Sequence, residues 1–226
     1  MRLLNLLYPV SKRCAFCERR AVSHLICRLC DKDIHRIGGL ICSCCGKSVE
    51  TEGDCEDCQQ RPETFFLSNR SAVQYNDKVK EIIGLYKYRG RESLSSVLGE
   101  WLVEAYRSYY SSTSFQAITF VPIHEWRLQE RGFNQAQQLA VYLSLHTKIP
   151  LVSLLSRTRS TEKQSKQHRA QRLQALQGAF QLRNTVSAGS KVLLVDDIYT
   201  TGSTVNECAR ILAKEGAKVY ALTVAR

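Results

Sequence analysis

The residues best equipped for chemistry lie in 191–204, KVLLVDDIYTTGST. An apolar run leads into Asp196 and Asp197, and the hydroxyl-rich turn Thr200, Thr201, Gly202, Ser203 and Thr204 follows. Carboxylates leaving an apolar strand need a cationic or hydroxylated partner, because burying them alone is costly. In open parallel sheets, ligands sit beyond the carboxyl ends of the strands, which is where these acids fall. Backbone N–H groups at the start of the next helix, with hydroxyls beside them, suit a dianionic phosphate, and Gly202 lets the backbone approach it. Adjacent carboxylates accept hydrogen bonds from vicinal hydroxyls. The combination describes a seat for a ribose 5-phosphate. The plainer alternative is a strand end followed by an ordinary helix, with the Asp and Thr side chains as caps.

A second chemistry is written in the cysteines. Nine of the ten lie within residues 14–58, and Cys208 stands alone as an expected core residue. Cys14, Cys17, Cys27 and Cys30 form two CxxC pairs nine residues apart, and Cys42, Cys45, Cys55 and Cys58 repeat that spacing, leaving Cys44 over. Each CxxC loop can present two thiolates to a tetrahedral Zn²⁺ at about 2.3 Å, and four thiolates leave no open position for catalytic water. Two structural Zn²⁺ ions are therefore expected in a segment too small to build its own core. The repeat favours sequential pairing, with an interleaved arrangement left open. Gly46 stands where a knuckle turn needs a left-handed residue. His24 and His35 read as surface or packing residues, since the cysteines already complete both sets.

The elements that must position these groups follow from periodicity. Residues 61–66, RPETFF, read as a boundary between a zinc module at 1–62 and a larger domain at 63–226. Beyond it, 71–75 alternates as a strand, and Val79, Ile82, Ile83 and Tyr86 mark one helical face. Leu94, Val97, Leu98, Trp101, Leu102 and Ala105 mark a second face, and Ala136, Leu139, Ala140 and Leu143 a third. Residues 117–122, 191–195 and 218–225 read as buried strands, with a helix at 205–217. Alternating strands and helices predict an α/β fold with a parallel sheet covered on both faces.

The formal charge is +11, from 32 Lys+Arg against 21 Asp+Glu. Two zinc ions on eight thiolates would bring it to about +7, still basic enough for an anionic partner. Residues 157–183 carry seven Lys/Arg against one acid, Glu162. A long basic loop in a compact α/β domain is expected to work on a ligand. It would bind single-stranded nucleic acid through Arg157, Arg159, Lys163, Lys166, Arg169 and Arg172, or close over the phosphate site. A reducing compartment suits the cysteine usage, and no apolar run approaches the length of a membrane span, so a cytoplasmic location is expected. The N-terminal MRLLNLLYPV lacks the pattern of a signal peptide and reads as a short packing helix.

The 192–204 pattern resembles the PRPP-binding motif of type I phosphoribosyltransferases. That resemblance implies that two acids meet the ribose hydroxyls and the TTGST loop holds the 5-phosphate. Residues 121–140, VPIHEWRLQERGFNQAQQLA, resemble the signature of the ComF family of late competence proteins. Its RGF at 131–133 is similar to a pyrophosphate loop, which implies that Arg131 and Gly132 face the pyrophosphate. The plain alternative there is a strand-to-helix connection with Asn134 as N-cap. Residues 86–91, YKYRGR, and 162–180 resemble two further family segments, and the cysteine pairs resemble its N-terminal double zinc ribbon. Ala175 departs from the Asn that often precedes the family's GAF, so no role is carried over to it.

The resemblance implies a type I phosphoribosyltransferase (Rossmann-like) sheet behind a zinc-ribbon module. It also implies binding of PRPP with Mg²⁺ and of single-stranded DNA, and assistance to DNA uptake across the inner membrane beside a DNA-translocating competence ATPase. The alternative is an active Mg²⁺-dependent phosphoribosyltransferase, with Arg131, Lys163 and Lys166 stabilising the departing pyrophosphate. No nucleophile or base pocket is legible. A zinc-bearing scaffold for the ATPase is a third reading, which leaves 196–204 without a purpose.

Overall fold

The computed structural model describes residues 13–21, 25–61, 63–88, 93–159, 176 and 178–226. The expected N-terminal helix, His24, residue 62 of the boundary, 89–91 of the YKYRGR segment and Ala175 lie outside the described residues.

The cysteine segment folds as two copies of one design. Cys14 N–H donates to Arg19 O and Cys42 N–H to Lys47 O, closing equivalent hairpins. Each knuckle ends on a left-handed residue, Glu18 at φ 62° and Gly46 at φ 74°. The second pair of each set then opens a short helix, α1 (Arg28–Asp31) or α2 (Glu56–Gln59). Gly46 is needed for more than its φ. A Cβ there would lie 2.7 Å from Asn69 O, so only glycine lets the second knuckle sit against the neighbouring strand.

That strand is β1 (Ser68–Val73), and α3 (Asp77–Tyr88) and α4 (Ser93–Tyr110) follow it. Next come β2 (Ala117–Phe120), α5 (Glu125–Arg131), α6 (Gln135–Thr147), and the short strands β3 (Leu155–Arg157) and β4 (Phe180–Leu182). The chain closes with β5 (Lys191–Ile198), α7 (Ser203–Lys214) and β6 (Lys218–Ala225). The main sheet runs β1-β6-β5-β2 with every pairing parallel. Residues on β5 such as Val192, Leu193, Leu194 and Val195 are fully buried, as a strand covered on both faces requires.

Both edges of the sheet are covered. Ile37 N–H donates to Ala72 O and Gln74 N–H to His35 O, so the link between the two knuckles lies along β1. On the other side Ile118 N–H donates to Pro150 O and Val152 N–H to Ile118 O, so 150–152 runs beside β2. Exposed edges template unwanted pairing, and these bonds cap both edge strands. Helices α4 and α6 pack together on one face, and α7 packs on β5, β6 and β4. Right-handed crossovers account for this: β1 to β2 and β2 to 150–152 move one way across the sheet, while β5 to β6 moves the other.

Three differences from the sequence reading stand out. Strand β5 continues through both acids to Ile198, because β6 offers Thr223 and Ala225 as partners for Asp196 and Ile198. The connection at 125–131 is a helix, closed by Gly132 in the left-handed region at φ 79°. The basic segment is rooted in an antiparallel ribbon, in which Leu155 pairs with Leu182 and Arg157 with Phe180.

Candidate functional site

The carboxyl ends of β5 and β2 hold most of the chemistry. Asp196 Oδ1 accepts from Asp197 N–H at 2.9 Å, which turns the first carboxylate back on the strand. The Asp197 carboxylate forms an ion pair with Lys87, from the last turn of α3. The two side chains are only 13% and 20% exposed, so water screens the pair weakly. Burial, and then the neighbouring Asp197, push the Asp196 carboxyl well above the usual range. Burial alone would also raise Asp197, but Lys87 and Arg131 more than offset it and hold that carboxyl low.

Arg131 reaches this place from the end of α5, and its Nη1 donates to Gln135 Oε1 at 3.0 Å. Asn134 caps α6, accepting from Ala136 N–H and Gln137 N–H, and its own amide donates to Val121 O. The capping role weighed for Asn134 is therefore present within the RGFNQ segment. Tyr86 supports the segment from α3: its ring lies 5.4 Å from Phe133, and its hydroxyl donates to Gln135 O and Gln138 Oε1. Tyr86 and Lys87 thus join the 131–135 turn to the paired acids.

The 199–204 turn gathers hydroxyls and backbone N–H groups at the start of α7. Tyr199 is buried and anchored by its N–H to Ala225 O. Thr200 is exposed, while the Thr201 and Ser203 hydroxyls lie 2.8 Å apart. Gly202 takes φ 74° at the N-cap of α7 and contributes no capping side chain. The first N–H groups of a helix lack intrahelical acceptors, and here Ser203, Thr204 and Val205 begin it beside three hydroxyls. A Cβ on Gly202 would overlap the Tyr199 Oη and Cζ atoms.

The basic segment divides. Lys163, Lys166, Arg169 and Arg172 lie outside the described residues. Arg159 is exposed, and its carbonyl accepts from Arg157 Nε. Arg157 turns inward: it lies over the Phe180 ring at 5.1 Å, and burial and Arg127 lower its pKa while Cys208 and Asp196 oppose them. Cys208 is fully buried in the core, as expected.

The cysteines assemble in sequence order. Cys14, Cys17, Cys27 and Cys30 form one cluster and Cys42, Cys45, Cys55 and Cys58 another, with the four Sγ atoms of each within 4.8 Å of one another. Backbone N–H groups point at sulfur: Cys17 donates to Cys14 Sγ at 3.5 Å, and Cys45 and Cys55 to Cys42 Sγ at 3.4 and 3.3 Å. Burial opposes ionisation of Cys14 and Cys42, yet these bonds bring each down to about 7. Such a donor set is that of structural zinc. Cys44 belongs to neither cluster.

Comparison with known proteins agrees with this arrangement. The double zinc ribbon domain family matches residues 3–59, and the phosphoribosyl transferase domain family matches 109–225. Competence protein ComFC of Bacillus subtilis (strain 168) is 32% identical, over 89% of this chain and 84% of its own. The chain belongs to the ComF family. DNA utilization protein YhgH of Escherichia coli (strain K12) is 30% identical over 85% of this chain and 86% of its own. Adenine phosphoribosyltransferase from Leishmania tarentolae overlays with a TM-score of 0.36 and 17% identity, covering 62% of this chain and 74% of that one, too loosely to carry an argument. The ComF relationship instead rests on sequence, and it spans both the cysteine clusters and the sheet. Among the described residues no helix is long and apolar enough to cross a membrane.

Three side chains that the sequence pattern does not point to join the site: Lys87, Gln135 and Arg61. Lys87 falls within the YKYRGR segment, whose resemblance names no partner for it. Arg61 belongs to the boundary segment, yet its Nη2 donates to Thr201 O and Tyr199 Oη, each at 2.9 Å.

Proposed function

We infer that this chain is a competence-associated PRPP-binding protein that also binds single-stranded DNA and assists its passage across the inner membrane. The observation that carries the reading is the junction of Asp196 and Asp197 with the hydroxylated start of α7, backed by Lys87 and Arg131. The names of the relatives, a competence protein and a DNA utilization protein, support the DNA side. The chain divides near residue 62 into a zinc module and a ligand-binding domain.

On this reading Asp196 and Asp197 accept hydrogen bonds from the ribose diol. Thr201, Ser203 and the first N–H groups of α7 donate to the 5-phosphate, with Thr200, Gly202 and Thr204 shaping the turn. Arg131 and Gly132 present the 131–135 turn to the pyrophosphate. The adjacent Asp196 and Asp197 carboxylates are oxygen donors of the kind that Mg²⁺ takes beside substrate phosphates, and the ion would supply charge neutralisation on the pyrophosphate oxygens. The cations of the basic segment track DNA phosphates, and a DNA-translocating ATPase is the partner expected at the inner face of the membrane.

One observation favours the enzymatic alternative. Arg157, with which the basic segment begins, feels the charge of Asp196, and on this second reading the segment closes over the ligand. Positive charge there would stabilise a departing pyrophosphate, making the chain a Mg²⁺-dependent phosphoribosyltransferase of unknown acceptor.

The two readings separate on one variant. Arg159, Lys163, Lys166 and Arg169 changed together to Gln should weaken DNA binding and flatten its salt dependence, which for four neutralised phosphates is a slope of about −3 in log K against log salt. PRPP binding by calorimetry should be unchanged. Loss of PRPP affinity with DNA binding intact would sink the DNA assignment and leave loop closure. Pyrophosphate release on incubation of wild type with PRPP and a panel of bases and nucleic acids would establish turnover.

A further inference from the structure

The ion pair between Lys87 and Asp197 sits where the proposed diol must bind. Two adjacent carboxylates in so little water cannot both ionise without a cation, and Lys87 is the ammonium placed on Asp197. A ribose whose hydroxyls donate to Asp197 takes over part of what the ammonium satisfies. A mostly buried ammonium then needs a new anion, because leaving it unmatched is costly. A second donor in the same cluster has the same need. Gln135 is 3% exposed, and its Nε2 is buried with no hydrogen-bond partner among the described residues while its Oε1 accepts from Arg131. Gln135 is also tied to the residue beside Lys87, since the Tyr86 hydroxyl donates to its carbonyl.

We propose that Lys87 changes partners when ligand binds, moving from Asp197 to the anion carried at the ribose anomeric carbon, and so sets the preference for PRPP over ribose 5-phosphate. This rests on the ribose-phosphate reading above. PRPP brings a pyrophosphate that accepts from both Lys87 and Gln135. Ribose 5-phosphate displaces the ammonium and offers it nothing. Discrimination therefore comes from the cost of stranding a charge rather than from an added contact alone.

Calorimetry with Mg²⁺ and three ligands, PRPP, ribose 5-phosphate and inorganic pyrophosphate, tests this on wild type and variants. Lys87→Gln should lose about ten- to a hundredfold in PRPP affinity while ribose 5-phosphate binds as well as before or better, collapsing the preference. Lys87→Arg should retain most of it. Asp197→Asn frees the ammonium, so inorganic pyrophosphate should bind more tightly than to wild type even as ribose 5-phosphate weakens. This second variant keeps the test alive if Lys87→Gln does not fold, as judged by zinc content and thermal unfolding. Equal losses for PRPP and ribose 5-phosphate in Lys87→Gln, or no gain for pyrophosphate in Asp197→Asn, would reduce the pair to a structural contact and overturn the proposal. Wild type that binds none of the three ligands would instead remove the ribose-phosphate reading itself.

Discussion

Arg61 joins the second zinc knuckle to the 199–204 turn: its guanidinium donates to the carbonyl of Thr201 at 2.9 Å, across 140 residues of sequence. The same Nη2 donates to the Tyr199 hydroxyl, whose pKa burial pushes up to about 12 against the influence of Arg61, so it stays protonated. Arg61 N–H in turn donates to Cys58 O at 3.1 Å. The conformation of the turn therefore depends on a residue fixed by the metal cluster. Arg61→Ala should lower PRPP affinity about tenfold, the scale of one or two lost charge-assisted hydrogen bonds. Removing zinc from wild type with a chelator should do the same, and chelation of the Arg61→Ala protein should add little. Additive losses, measured by calorimetry, would show that the cluster and the turn are independent.

Two zinc ions per chain are expected by metal analysis of protein never exposed to chelator. Cys44→Ser should leave that content at two, since Cys44 stands outside both clusters and its N–H is held by Asp54 Oδ1 at 3.0 Å. Cys42→Ser should reduce it to about one and lower the unfolding temperature, because the Cys42 sulfur also accepts from Cys45 and Cys55. Retention of two ions by Cys42→Ser would rule out the sequential pairing.

Gly202→Val should damage the turn twice over. The left-handed backbone costs a non-glycine residue about 1–2 kcal/mol, and the new Cβ would run into the Tyr199 ring rather than into bound phosphate. The variant should lose both stability, seen in thermal unfolding, and PRPP affinity. Affinity lost at full stability would place the clash with the ligand instead.

The paired acids predict a pH signature. The raised Asp196 carboxyl faces Asp197, Lys87, Cys208 and Arg157, and only on losing its proton does it offer a diol charge-assisted acceptors in place of a donor and a neutral carbonyl. PRPP affinity should therefore rise with pH from the ordinary carboxylate value of about 4 upward, until the raised Asp196 value is passed. Stability follows the opposite sign for this group: its contribution is complete below the ordinary value and lost as pH rises through the folded value. Asp197, held low, contributes above the ordinary value and loses that contribution as pH falls through its own folded value. Asp196→Asn should remove the rise in affinity and weaken binding about tenfold or more. A wild-type affinity flat across this range would show that Asp196 is not a ligand acceptor.

The cysteine spacing alone determined which thiols could share a metal, because each CxxC loop is rigid at short range and its repeat occurs twice. The alternation of apolar strands with helical faces likewise determined a parallel sheet, and the run into Asp196 and Asp197 placed the acids at its carboxyl edge. Such readings succeed where chain geometry fixes neighbours a few residues apart. The limits of β5 already needed more, since only pairing with Thr223 and Ala225 carries that strand through the acids.

Tertiary structure decided which side chains complete the site. Lys87 reaches Asp197 because α3 ends beside β5, Arg61 reaches Thr201 because the second knuckle lies against β1, and Arg157 lies over the Phe180 ring because β3 pairs with β4. Nothing in the local pattern around any of these cations names its partner. A long charged side chain satisfies periodicity equally well in solvent or against a carboxylate, and only the packing of distant elements removes the water that would otherwise make the two alike.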